Sequence, residues 1–197
     1  MLALQGDVRE HAAALEKLGH EVVLVKRPEH FEDLAAMVLP GGESTTLSML
    51  LDSSGVRDPL EAWVQGNRPT FGTCAGLVML ASTVEDGRSD QKTMAGLGIS
   101  ARRNGYGRQR FSFETLAAIP ALGEPMEAVF IRAPRITSVA DDTEVLATID
   151  TDHGAEPVAV RRGNVIACSF HPELTDDTRF HALLMEIARS ASGAEDH

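Results

Sequence analysis

Cysteine is scarce in this chain: Cys74 and Cys168 are the only two in 197 residues. Two thiols are too few for a disulfide framework. No apolar run reaches the ~18–20 residues needed to span a bilayer. The first residues lack the basic-then-apolar pattern of a secretory leader, so a cytoplasmic location with reduced thiols is expected. Positive charge is also in deficit. Eighteen Lys and Arg stand against 29 Asp and Glu, a formal net charge of -11. That balance argues against a broad nucleic-acid surface or an anionic-membrane surface. No internal repeat and no low-complexity block is visible. No His/Cys cluster shows metal-ligand spacing, so no metal is expected.

The apolar share is 43% and the charged share 24%, ordinary values for a globular protein with its own core. The length predicts one domain over 1–197, with a frayed tail over 190–197. Strand and helix signals alternate in the first half. Residues 1–4 and 21–25 read as short strands, as do 37–39 and 70–71. Residues 8–18 carry Val8, Ala12, Leu15 and Leu18 at helical spacing, and Gly19 is a plausible cap. Residues 45–51 and 75–81 read as helices. Such alternation predicts a mostly parallel sheet covered on both faces. Further on, 128–131, 144–149, 157–160 and 165–170 are strand-like. The last two are joined by a turn at Arg162-Gly163-Asn164, and 178–190 closes the chain as a helix. The expected fold is one three-layer α/β domain, a mostly parallel central sheet with some antiparallel strands added.

Ligands of α/β sheets sit where strands lead into helices. Two glycine-rich turns occupy such places: PGGEST (40–45) and FGTCAG (71–76). The second sets Cys74 between glycines on a strand–turn–helix, the layout of a nucleophile elbow. The small neighbours allow a tight turn, and the helix start favours an anionic sulfur. The amide of Ala75 is placed to help hold an oxyanion. The pattern alone leaves open a thiol packed as a small hydrophobe, which is also the reading for Cys168 in mid-strand.

A cysteine nucleophile needs a base and a group to orient it. FHPE (170–173) supplies both after a strand. His171 and Glu173 are two apart, on one side of extended backbone, and Pro172 biases His171 towards that geometry. His11, His20, His30, His153, His181 and His197 read as surface or structural histidines. PGGEST could complete an oxyanion hole or cradle a phosphate, and it lacks the lysine of a P-loop. Residues 101–110 carry Arg102, Arg103, Arg108 and Arg110. That run is either a solvated loop or a carboxylate site suited to the planar arginine fork. FIRAP adds Arg132 at the end of a predicted strand.

GTCAG with a late HPE resembles the class I (triad) glutamine amidotransferases. LQGDVREH, VKRP, LPGGESTT, FGTCAGL, RNGYGRQ, FIRAP and SFHPELT, in order from Leu4 to Thr175, narrow the resemblance to the glutaminase subunits of pyridoxal 5′-phosphate synthase. Such subunits usually begin with a few more apolar residues before LQG; here the first strand starts at Met1. The resemblance implies a flavodoxin-like architecture and hydrolysis of L-glutamine to glutamate and ammonia through a glutamyl thioester. By position it makes Cys74 the nucleophile, His171 the proton carrier and Glu173 its orienting group. It gives the backbone of Gly42 and Ala75 to the oxyanion hole, and Gly42, Glu43, Ser44, Arg103, Ile131 and Arg132 to glutamine. It further implies a (β/α)8 synthase subunit in a large hetero-oligomer, which takes the ammonia and switches the glutaminase on. No cofactor is implied for this chain. Two rivals remain: another acyl-transfer enzyme on the same fold, such as a γ-glutamyl hydrolase, and a subunit that has lost its chemistry.

Overall fold

The structure, a computed structural model, describes residues 1–87, 92–106, 112–152 and 154–195. Helix α1 spans Val8–Lys17, strand β1 Met37–Leu39, and helices α2 and α3 Ser44–Ser53 and Arg57–Gln65. Strand β2 (Thr70–Thr73) leads through Cys74 into helix α4 (Ala75–Leu80). Strands β3 to β7 follow at Ala81–Val84, Leu97–Arg102, Ser112–Ala117, Met126–Ile131 and Arg135–Val139. Strands β8, β9 and β10 are Glu144–Thr151, Gly154–Arg162 and Val165–Cys168, and helix α5 is Arg179–Glu195. Residues 190–195, expected to fray, lie within α5.

The central sheet has five strands in the order β1-β2-β10-β9-β8. β1, β2 and β10 run parallel, while β9 and β8 continue the sheet antiparallel. The β9–β10 hairpin turns at Gly163, whose φ of 57° lies in the left-handed region. Two smaller sheets, β3-β4-β7 and β5-β6, flank this one. The expected α/β architecture is therefore present, with a mixed central sheet.

Alternation along the central strands divides the core. Met37 and Leu39 of β1, with Val165 and Ala167 of β10, face a cluster built on α2, α3 and α4. Val38, Phe71, Ile166 and Cys168 face the opposite cluster, which holds Leu15 of α1 and Phe180, Leu184 and Ile187 of α5. Two apolar faces per strand need two helical covers, so the strand pattern itself calls for three layers. No helix among the described residues is long and apolar enough to cross a membrane.

Two expected strands are reduced. Residues 1–4 and 21–25 meet in a parallel bridge, Leu2 with Val25, and the Met1 amino group donates to Val23 O at 2.7 Å. The amides of Ala3 and Val25 bond to Val25 O and Met1 O, and no ladder extends further. Val23 and Leu24 are about two-fifths exposed. Strand β3 was not foreseen, because Ala81 follows α4 with no glycine or proline to mark the change.

Candidate active site

The ends of β1, β2 and β6 and the segment after β10 converge on one cavity of about 280 Å³. Cys74 sits at its floor, between β2 and α4. Its φ of 48° and ψ of -102° are rare for a residue with a side chain. Such a conformation costs on the order of 1–3 kcal/mol and persists only where the surroundings hold it. Here the Cys74 amide donates to Cys168 O at 2.9 Å, tying the turn to β10. Gly76 lets α4 start against β1, since a Cβ there would lie 2.1 Å from Leu39 O.

The segment after β10 brings in the histidine. The His171 amide donates to Val129 O of β6 at 2.8 Å, which steers the chain over the cavity. His171 Nδ1 donates to Glu173 Oε1 at 2.8 Å. A further carboxylate, Asp7 Oδ2, lies 3.3 Å from the same nitrogen. Burial by itself lowers the His171 pKa; hydrogen bonds with Asp7, Cys74 and Glu173 outweigh it, and it is pushed up to about 12. Burial likewise raises the Glu173 pKa, and hydrogen bonds from His11 and His171 reverse this, lowering it to about 2. At neutral pH the pair is an imidazolium held by a carboxylate, with the imidazolium bonded to Cys74.

Asp7, His171 and Glu173 also place one ligand atom each within 4.8 Å of one another. A cation there would have to displace the His171–Glu173 hydrogen bond, so the same atoms serve either a metal or the triad.

Most residues singled out from the sequence meet at this cavity. Cys74, Ala75, His171, Gly42, Glu43, Ser44, Arg103, Ile131 and Arg132 line it. Glu173 stands behind His171, its side chain fully buried. The Glu43 carboxylate accepts from the amides of Thr45 and Thr46 at 3.1 and 2.7 Å and so caps α2. Arg103 donates to Thr45 Oγ1 at 2.6 Å. Arg132, at φ 44°, turns the chain at the end of β6. Arg102 is spent on a pair with Glu85 at 2.7 Å, away from the cavity. Arg108, Arg110, His153 and His197 lie outside the described residues.

Asp7, Val78, Asn104 and Pro134 line the cavity too, and the sequence reading gave them no role. His11 and His181, read there as surface or structural, are fully buried. Spacing could have found both. His11 is four residues before Leu15 and His181 three before Leu184, on the buried faces of their helices. Cys168 is an inert thiol: burial pushes it up, and it donates to Phe170 O at 3.3 Å.

The model of the SNO glutamine amidotransferase family matches residues 1–190. A pyridoxal 5′-phosphate synthase subunit PdxT from Salinispora tropica is 48% identical over 193 residues, covering 97% of this chain and 96% of that protein. The subunit of the same name from Streptomyces avermitilis is 48% identical over 191 residues, covering 96% of this chain and 93% of that protein. A crystal structure of a glutamine amidotransferase superposes with a TM-score of 0.87 at 43% identity, covering 95% of this chain and 96% of its own.

Proposed function

The chain belongs to the SNO glutamine amidotransferase family, and from that membership we propose that its cavity hydrolyses L-glutamine and supplies the ammonia to a synthase that makes pyridoxal 5′-phosphate. The observation that carries the reading is Cys74, held at positive φ on the floor of a cavity that His171 also lines, with His171 itself held by Glu173. Cys74 Sγ attacks the side-chain carbonyl carbon of glutamine. The amides of Gly42 and Ala75 receive the developing oxyanion; Ala75 opens α4, so its amide has no partner within the helix. His171 gives its proton to the leaving nitrogen, ammonia departs, and a glutamyl thioester remains. Water then attacks the thioester, His171 takes the proton from it, and glutamate leaves as the sulfur is regenerated.

Glutamine's own charges suit the wall. Arg103 and Arg132 line a cavity of a size for one amino acid, and arginine matches a carboxylate in two hydrogen bonds. Backbone at Gly42, Glu43, Ser44 and Ile131 completes the site. The partner is proposed to be a (β/α)8 synthase subunit in a hetero-oligomer, a reading supported by the names of the relatives, and the location is cytoplasmic.

The test is glutamate release from glutamine, with and without the synthase subunit. The wild type releases glutamate, most strongly with the synthase, and Cys74→Ala releases none while still docking. Full activity in Cys74→Ala sinks the assignment. Activity towards γ-glutamyl peptides but not glutamine would favour the γ-glutamyl hydrolase reading.

A further inference from the structure

Behind Glu173 lies a pair of histidines that the hydrolysis itself does not use. His11 of α1 and His181 of α5 are both fully buried. His11 Nε2 lies 3.3 Å from Glu173 Oε1 and 3.1 Å from Thr73 Oγ1, next to Cys74 in the chain. His11 Nδ1 lies 2.8 Å from His181 Nε2. His181 Nδ1 has no hydrogen-bond partner among the described residues. The two rings pack against Phe71, and Phe71 stacks on Phe180 at 5.7 Å.

For a His11 ring with a single N–H, the donors and acceptors fix the protons. An ionised carboxylate only accepts, so His11 presents N–H to Glu173 from Nε2. His11 Nδ1 is then the acceptor, and His181 Nε2 donates to it. That leaves His181 Nδ1 bare, which agrees with its lack of a partner. Burial lowers the His181 pKa to about 4 and keeps that ring neutral. The result is an ordered chain of hydrogen bonds. His181 sets the tautomer of His11, His11 holds Glu173, and Glu173 holds His171.

We propose that His11 is a positioning residue for the Cys74–His171–Glu173 site, with its tautomer set by His181. The inference rests on the glutaminase reading of that site. It assigns α1 and α5, which touch no part of the cavity through these rings, a share in orienting the reacting groups. Secondary partners of this kind fix ring orientation and are felt in rate rather than in substrate affinity. The titratable groups facing this network are Asp7, Cys74 and Glu173 around His171, with His11 and Cys168 around Glu173.

The experiment compares His11→Leu, His11→Gln and His181→Met with the wild-type chain in two assays. One is steady-state glutamine hydrolysis with the synthase subunit. The other is the pH profile of Cys74 alkylation by iodoacetamide in the isolated chain, which needs neither glutamine nor the synthase. His11→Leu lowers kcat by about 10- to 100-fold with KM nearly unchanged. It also moves the acid limb of alkylation up by roughly one pH unit, as Glu173 loses a donor to its ionised form. Glutamine can offer an N–H where Nε2 stood, so His11→Gln restores both readouts to within about threefold and a few tenths of a unit. His181→Met falls between the two.

Equal losses in His11→Leu and His11→Gln would reduce the pair to packing and overturn the proposal. So would wild-type kcat and an unshifted profile in His11→Leu. If His11→Leu does not fold, folded His181→Met with both readouts unchanged overturns it as well. A wild-type chain inactive on glutamine would refute the glutaminase reading, and the alkylation profiles would still decide the role of His11.

Discussion

At the scale of single residues, the site is a set of groups whose neighbours shift the pH at which each changes its charge. His171 is held charged and Glu173 ionised, while His181 is held neutral between two aromatic rings. The last has a measurable consequence for stability. A histidine whose folded pKa lies near 4, against 6.5 unfolded, contributes stability that is fully present above 6.5 and is lost as pH falls through about 4. The free-energy difference between the wild type and His181→Gln, read from urea unfolding, therefore moves against the wild type by about 3 kcal/mol between pH 7 and pH 4. His171 and Glu173 titrate in both proteins and largely cancel. A difference that stays constant with pH would mean that His181 does not remain neutral.

At the scale of elements, the cavity depends on close approaches that only particular residues permit. A Cβ at Gly41 would lie 2.6 Å from His171 Cε1, so the PGG turn and the histidine segment can meet only across a glycine. Gly76 plays the same part between α4 and β1. Gly76→Ala forces the new methyl onto backbone rather than onto a side chain that can move aside. It should cost about 2–3 kcal/mol in urea unfolding, and loss below about 0.5 kcal/mol would show that α4 can slide. Cys74, His171 and Glu173 were legible in the sequence because turn chemistry and the two-residue spacing leave local marks. Asp7 left none, since its approach to His171 comes from the packing of the α1 start against the segment after β10. His11 and His181 come together across 170 residues of sequence, a distance over which helical spacing marks burial but not partnership. The β3 strand was hidden for another reason, a helix passing into a strand with no breaker between them.

At the scale of the whole molecule, the sheet order explains why parts so far apart in sequence act together. β10 inserts beside β2, so Cys74 and His171 emerge from neighbouring parallel strands at the same edge. β6 and the PGGEST turn close two sides of the cavity, and Asp7, just before α1, lines it as well. The alternation of strand and helix signals was enough to foresee the layers, whereas of the flanking sheets only β6 left a mark, at 128–131. The central claim is that this assembly makes Cys74 the nucleophile towards glutamine. It is tested most directly by incubating the chain and its synthase partner with the glutamine analogue 6-diazo-5-oxo-L-norleucine and mapping the modified residue by peptide mass spectrometry. The account predicts one label, on Cys74, blocked by excess glutamine and lost in His171→Ala. Label on Cys168, or none on Cys74 with the partner present, would contradict it.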